Sequence, residues 1–167
     1  MKPILQTLLF TVCVPGAVAG LVPWLLRNGA AAPGVPAAPF WLGAALLVLG
    51  AAVYLHTAFW GFALRGRGTP APVAPTARLV VEGLHARVRN PMYLGVLLMV
   101  LGQASMSWSR TLLVYAAALA LAFHLFVIFY EEPTLRRQFG DAYREYFRRV
   151  PRWIPRTSRR QPGRSDS

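Results

Sequence analysis

Four long stretches without a charged residue constrain this chain more than any other feature of its sequence. They run from Ile4 to Leu26, from Phe40 to Leu64, from Met92 to Trp108 and from Thr111 to Tyr130. About 20 apolar residues in a helix cross a hydrocarbon layer of roughly 30 Å, and three of the stretches have that length. The third is shorter and ends at Trp108, a residue type that suits the membrane interface. The sequence therefore predicts an all-α, polytopic membrane protein with about four transmembrane helices, the last two forming a hairpin around Ser107–Arg110.

The first stretch also has an alternative interpretation. Lys2 precedes an apolar run, which is typical of a signal peptide. The length of the run and its two prolines, Pro15 and Pro23, favour a retained helix. Gly16 and Gly20 form a GxxxG pattern, which can let another helix approach closely. In a segment this rich in alanine and glycine, chance is the better explanation of that pattern.

The charged residues lie between these stretches and give an expected orientation. The net charge is +12, and sixteen of the 18 basic residues lie in the N-terminus, the loop between the second and third stretches, and the C-terminal tail. Four crossings would put these three regions on one side, which the positive-inside rule assigns to the cytoplasm. We therefore expect a protein of the bacterial inner membrane with both termini in the cytoplasm. The tail has no recognisable nucleic-acid-binding module, so anionic lipid headgroups are the expected partners.

The C-terminal part predicts a different kind of helix, over about 134–149. Apolar and aromatic side chains recur there with a helical period, and arginines occupy the opposite face. This pattern is typical of a helix lying at the membrane interface, and Trp153 follows it as an expected aromatic anchor. We expect one domain over 1–156 and a disordered basic tail over 157–167.

Two polar clusters adjoin the predicted membrane helices on the cytoplasmic side. Arg87–Tyr93 precedes the third stretch, and Glu131 and Glu132 follow the fourth. Because the hairpin would bring these ends together, we expect the two clusters to share one interfacial pocket. The alternative is that the glutamates balance nearby arginines and that Arg89 binds phosphate headgroups.

The residues of these clusters carry a family resemblance. The first reads GLHARVRNPMYLG from Gly83, and the second reads EEPTLRRQFGDAYREYFRRVPRWIP from Glu131. Together they resemble the isoprenylcysteine carboxyl methyltransferase and phospholipid methyltransferase superfamily of integral-membrane enzymes, over about residues 66–156. The resemblance implies S-adenosylmethionine-dependent methyl transfer to a lipophilic or membrane-embedded acceptor, such as an isoprenylcysteine carboxylate or a phospholipid-type amine.

The resemblance also implies roles for individual residues. By position, the cofactor-binding residues are His85, Asn90, Pro91, Met92, Tyr93, Glu131 and Glu132. Arg89 is expected to neutralise a carboxylate of the cofactor or a headgroup of the substrate. His124 is a candidate proton acceptor for catalysis, with a helix-packing histidine as the alternative.

Three positions depart from the family pattern. Asn90 replaces the commoner histidine, a variant familiar in bacterial members. His85 stands where the family usually has tyrosine, and an imidazole keeps some capacity for stacking and hydrogen bonding. Val127 stands where the eukaryotic prenylcysteine enzymes have an arginine suited to a carboxylate. Since valine cannot bind a carboxylate, this departure argues against prenylcysteine as the acceptor.

Other chemistries receive less support from the sequence. The three histidines lack the spacing of metal ligands, so no metal is expected, and the single cysteine excludes an intrachain disulfide. Two rival functions stay open: a non-catalytic membrane interaction protein with the same fold, and a nicotinamide-dependent membrane reductase. Binding of S-adenosylmethionine by the purified protein would distinguish them.

Overall fold

The computed structural model describes residues 3–26, 36–59 and 79–155, and the regular structure in these ranges is helical. This confirms the all-α prediction for that part of the chain. The elements in chain order are α1 (Pro3–Cys13), a π-helical turn (Ala17–Leu21), α2 (Val22–Leu26), α3 (Ala37–Leu55), a 3₁₀ turn (Gly83–Ala86), α4 (Pro91–Ser107), α5 (Arg110–Phe126), a further π-helical turn (Val127–Glu131) and α6 (Glu132–Arg149).

Three helical segments are long and apolar enough to cross a membrane. They are Leu8–Leu26, Ala37–Phe59 and Arg110–Arg149, whereas α4 has 17 residues. Large apolar side chains on these segments are exposed, among them Trp41, Val114 and Phe129. Such surfaces suit contact with lipid tails. The predicted end of the second stretch at Leu64 and the predicted tail over 157–167 lie outside the described residues.

A close helix contact joins α3 and α4 through four glycines, two on each helix at a spacing of seven residues. A Cβ built on Gly43 would lie 2.5 Å from the Gly102 carbonyl oxygen, and one built on Gly50 would lie 2.6 Å from the Gly95 carbonyl oxygen. Small residues allow this backbone approach, which gains van der Waals contact where lipid offers no hydrophobic driving force. Gly20, in the GxxxG pattern of the first helix, has nothing within 4 Å of such a Cβ.

Pro23 explains how the first helix is tied to the others. A proline has no backbone N–H, so the carbonyls four and five residues earlier, those of Ala19 and Val18, receive no hydrogen bond from it. Gln103 Nε2 in α4 donates to the Ala19 carbonyl at 2.7 Å, and the Tyr115 hydroxyl in α5 donates to the Val18 carbonyl at 2.8 Å. Unpaired backbone groups are costly in a bilayer. The two side chains therefore supply the missing hydrogen bonds to these carbonyls and anchor the first helix to α4 and α5.

A tight turn joins α4 to α5, as predicted for the hairpin. Trp108 ends α4 in the left-handed conformation, with φ 51°, and its side chain is exposed. Ser109 then caps α5, its hydroxyl accepting a hydrogen bond from the backbone N–H of Leu112 at 3.3 Å. The two helices therefore run antiparallel, with the start of α4 beside the end of α5.

The C-terminal helix differs from its prediction in what its aromatic face contacts. It follows α5 without a loop and bends at Gly140, whose φ of 53° and ψ of −123° are not helical. Tyr143 and Tyr146 are buried in a cluster with Leu79, and the Tyr146 hydroxyl donates to the His85 carbonyl at 2.8 Å. An amphipathic pattern does not distinguish a protein partner from a lipid partner. Here the protein covers this aromatic face, and a location at the membrane interface stays a prediction.

Candidate active site

The two polar clusters meet, as the hairpin predicted. The Tyr93 hydroxyl in α4 donates to Glu131 Oε2 at 2.8 Å, and Arg89 Nη1 lies 2.9 Å from Glu132 Oε1. The adjacent glutamates therefore face different partners: one lies against the first turn of α4, and the other lies against the loop before it. The π-helical turn that ends at Glu131 widens the helix at this point, a feature that is frequent at functional sites.

Glu132 is the centre of a buried ion cluster. Its side chain is 7% exposed, and Arg89, its partner at 2.9 Å, is 8% exposed. Arg152 donates to both carboxylate oxygens, from Nε at 2.7 Å and from Nη2 at 3.1 Å. This hydrogen bond is the main reason that the pKa of Arg152 is raised above its ordinary value. Because both oxygens are engaged, Glu132 joins three chain segments rather than facing an open pocket.

A short C-terminal segment, Val150–Trp153, forms one wall of the site, and we call it the strap. The backbone N–H of Arg89 donates to the Pro151 carbonyl at 2.9 Å, and Asn90 Nδ2 donates to the Arg152 carbonyl at 3.2 Å. The sequence indicated the strap only as part of the family resemblance and as a membrane anchor. Nothing in the spacing of Arg152 and Trp153 reveals that they return to α4 and α5.

The hydrogen-bond partner of Glu131 belongs to a cluster of aromatic rings. Tyr93, its hydrogen-bond partner, packs against Phe123 with ring centroids 4.7 Å apart and against Trp153 at 6.4 Å. Trp153 in turn contacts His124 at 6.1 Å, and its indole N–H donates to His124 Nδ1 at 3.0 Å. A carboxylate bonded to one member of an aromatic cluster is an arrangement that suits an organic cation.

The remaining predicted residues of the first cluster are packed inside the protein. Asn90 is buried at the start of α4, and Pro91 occupies the first turn, where a missing N–H has no cost. Met92 packs against the buried cluster that contains Tyr54. These three residues therefore shape the start of α4, and Tyr93 is the member of this run that contacts Glu131.

His85 lies in the 3₁₀ turn of the loop before α4, and it is buried, 6% exposed. Burial is the main cause that lowers its pKa to about 4, and repulsion from His56 adds to the effect. His85 is therefore neutral at neutral pH. Its carbonyl holds the Tyr146 hydroxyl, which links the loop to α6.

Arg89 carries one further feature. Its guanidinium carbon lies 4.0 Å from the centroid of the Phe147 ring, and its Nε is buried with no hydrogen-bond partner among the described residues. A buried donor without a partner costs free energy unless a bound group accepts from it. Among the described residues, no group of three or more histidine, cysteine or acidic side chains is arranged to hold a metal ion.

Comparison with known proteins identifies the family. The model of the phospholipid methyltransferase family matches residues 38–142, more than half of the chain. The chain belongs to the phospholipid methyltransferase family. The match runs from α3 into α6 and includes both polar clusters, whereas the strap lies beyond it. Together with the apolar helices, this membership supports an integral membrane location.

Part of this member of the phospholipid methyltransferase family is similar to a plant protein. It is protein-S-isoprenylcysteine O-methyltransferase B from Arabidopsis thaliana, 35% identical over 78 residues. The aligned region is 47% of this chain and 40% of the plant protein. No solved structure matches the chain.

Proposed function

We propose that the protein is an integral-membrane methyltransferase that uses S-adenosylmethionine and modifies a lipophilic acceptor. The observation that carries the proposal is the Glu131 carboxylate, held by Tyr93 at 2.8 Å beside the rings of Phe123 and Trp153. Family membership and the similarity to an isoprenylcysteine O-methyltransferase support the reaction class.

The residues of the site fit the chemistry of this cofactor. S-adenosylmethionine carries a sulfonium and an ammonium, and Glu131 with the neighbouring rings offers a negative charge and π faces for cations. It also carries a carboxylate, and the buried Nε of Arg89 is a donor without a partner among the described residues. Glu131, Tyr93 and Arg89 would therefore hold the cofactor, and His85 would support the loop as a neutral side chain.

The bound cofactor supplies an electrophilic methyl group, and the acceptor supplies the electron pair that forms the new bond. The contribution of the protein is then to position the reactants and to exclude water. Glu132 and Asn90 serve this role indirectly, because their contacts to Arg152 hold the strap across the site. The prediction that they touch the cofactor becomes, in this proposal, a positioning role.

The proposed arrangement in the membrane has four crossings and a single domain over 1–156. The 17-residue α4 would cross with the exposed Trp108 at the far interface. Both termini and the active site would then face the cytoplasm of a bacterial inner membrane, beside the sixteen basic residues of that side. An acceptor dissolved in the bilayer would reach the site from the lipid-exposed side of α5.

The test is binding of labelled S-adenosylmethionine to the purified protein in detergent. Glu131→Gln removes the charge and keeps the shape, so we expect affinity to fall at least about tenfold, the loss of one charge-assisted contact. Glu145→Gln is the matched control, because Glu145 is exposed and pairs with Arg149 on α6. Equal affinity in wild type and Glu131→Gln would contradict the assignment, and no binding by wild type would favour a non-catalytic protein.

The acceptor is identified by a second experiment. Membranes incubated with the enzyme and methyl-labelled cofactor are extracted, and the labelled lipid is analysed by mass spectrometry. We expect label in a lipophilic product that is absent with Glu131→Gln. A labelled amine headgroup or a labelled prenylcysteine ester would decide between the two acceptor classes that the family comparisons suggest.

A further inference from the structure

The contact between Trp153 and His124 joins the strap to α5. His124 lies within the part of the chain that the family model covers, and Trp153 lies beyond it. The indole Nε1 of Trp153 and His124 Nδ1 are 3.0 Å apart, and both side chains are partly buried. His124 precedes Glu131 by seven residues, or about 10 Å along a helix axis. An acceptor arriving from the bilayer would therefore meet His124 before it reaches the carboxylate.

The chemistry of this hydrogen bond determines where the proton of His124 sits. An indole nitrogen can donate and cannot accept, so His124 Nδ1 must provide the lone pair. A neutral imidazole carries one proton, which is then on Nε2. Protonation of Nδ1 would remove the acceptor and break the bond to Trp153.

We infer that Trp153 holds His124 in the Nε2–H form, so that His124 donates a hydrogen bond to an oxygen of the methyl acceptor instead of acting as its general base. This inference rests on the proposed methyl transfer and adds a recognition element to it. Trp153 is a positioning residue, and His124 is the residue that contacts the acceptor. The inference reverses the role of proton acceptor expected for His124 from the sequence.

The N–H of His124 matters for recognition because the neighbouring arginines are already bound to Glu132. The guanidinium of Arg152 is bound to Glu132 through two nitrogens, and Arg89 contributes Nη1 to the same carboxylate. Val127, one turn after His124 on the same helix, is buried and apolar. The N–H of His124 is thus the donor on this part of α5 that can select an acceptor with an oxygen atom near the methylated position.

The first test reads the position of the proton directly. Two-dimensional nitrogen–proton spectra of the histidine rings are recorded on the ¹⁵N-labelled full chain in detergent micelles, and His124→Gln assigns the signals among the three histidines. We expect a protonated Nε2 and an unprotonated Nδ1 for His124, with this preference lost in Trp153→Phe. A proton on Nδ1 in the wild type would overturn the inference, whether or not the protein transfers methyl groups.

The second test reads the role in recognition. Initial rates of methyl transfer are measured against increasing amounts of a total membrane lipid extract. His124→Leu removes the donor, and we expect the extract concentration giving the half-maximal rate to rise about tenfold, as for one hydrogen bond of about 1.4 kcal/mol. His124→Gln keeps an N–H at a similar reach and should lose about threefold.

The outcomes separate the inference from the proposed function. If both variants lose the maximal rate equally and keep the half-maximal concentration, His124 acts as a base and the inference is wrong. Absence of cofactor binding and turnover in the wild type would contradict the proposed function, while the spectra would still report the tautomer.

Discussion

The contact between α3 and α4 and the ion cluster around Glu132 hold this protein together in opposite ways. The helix contact uses glycines whose missing side chains bring two backbones together, with Gly43 and Gly50 facing Gly102 and Gly95. The cluster uses long charged side chains that reach from three separate segments to one carboxylate. Regular helices can pack along their length, whereas an irregular loop and a strap need a central group that satisfies many donors at once.

The largest expected effect comes from removing the centre of the ion cluster. Glu132→Gln leaves the buried guanidinium of Arg89 and the partly buried one of Arg152 without their charge partner. We expect unfolding free energy to fall by about 3–5 kcal/mol, as for other broken buried pairs. Thermal unfolding in detergent measures this, with Glu145→Gln expected to change stability by less than about 0.5 kcal/mol. Equal shifts in both variants would refute the role of the cluster.

The glycine contact should be nearly as sensitive. In Gly50→Ala the new Cβ would lie 2.6 Å from the Gly95 carbonyl oxygen and 2.7 Å from the Met99 nitrogen, so two backbones must separate. We expect a loss of about 2–3 kcal/mol in the same assay. Gly20→Ala is the matched control, because nothing lies within 4 Å of its Cβ, and it should be neutral or stabilising. Tolerance of Gly50→Ala would mean that the helices are not in close contact.

A pH dependence should distinguish the loop that contains His85 from the contact between α3 and α4. Burial lowers the pKa of His85 to about 4, whereas an unfolded histidine has a pKa of about 6.5. The unfolded state therefore takes up the proton first as pH falls. The stabilisation is complete above pH 6.5 and is lost between pH 6.5 and pH 4, with about 2 kcal/mol lost from pH 7 to pH 5.

The comparison that isolates this effect uses His85→Gln, which cannot titrate in this range. Unfolding midpoints are measured from pH 7 to pH 5 in the wild type, in His85→Gln and in Gly50→Ala. We expect a flatter profile in His85→Gln and the wild-type slope in Gly50→Ala. An unchanged slope in His85→Gln would assign the pH dependence to other groups.

The smallest expected effect concerns the hydrogen bonds to the first helix. Tyr115→Phe removes the donor at 2.8 Å from the Val18 carbonyl and keeps the ring. Hydrogen bonds between membrane helices contribute about 0.6 kcal/mol on average, so we expect a loss of that size. A loss as large as that of Glu132→Gln would mean that polar contacts dominate within the membrane as well.

The sequence predicted the neighbourhood of the site better than its contacts. The hairpin and the proximity of Arg89–Tyr93 to Glu131 and Glu132 followed from the short break between the third and fourth apolar stretches, and both are confirmed. The family resemblance matched Glu131 to a cofactor-binding glutamate with Glu132 beside it, and it did not predict their separate partners. A one-residue step along a helix changes direction by about 100°. In the folded protein that step leads to Tyr93 in one case and to two arginines in the other.

Other contacts in the structure were not predicted, although some of them have a signal in the sequence. The seven-residue spacing of Gly43 with Gly50 and of Gly95 with Gly102 is visible in the sequence and could have marked the α3–α4 contact. The amphipathic pattern of α6 predicts that its aromatic face contacts lipid. In the structure this face packs on the loop that contains His85. The return of Trp153 to His124 spans 29 positions, and local patterns carry no information on a contact of that range.

The sequence by itself determined the helical class, the apolar segments, the turn between α4 and α5 and the family, because each depends on composition and on order along the chain. The tertiary structure decided which carboxylate bonds to the aromatic cluster and which one pairs with two arginines. It also decided which nitrogen of His124 accepts the hydrogen bond from Trp153. These depend on directions and distances between segments remote in sequence. Burial strengthens such contacts and excludes the solvent that would otherwise make the two glutamates alike.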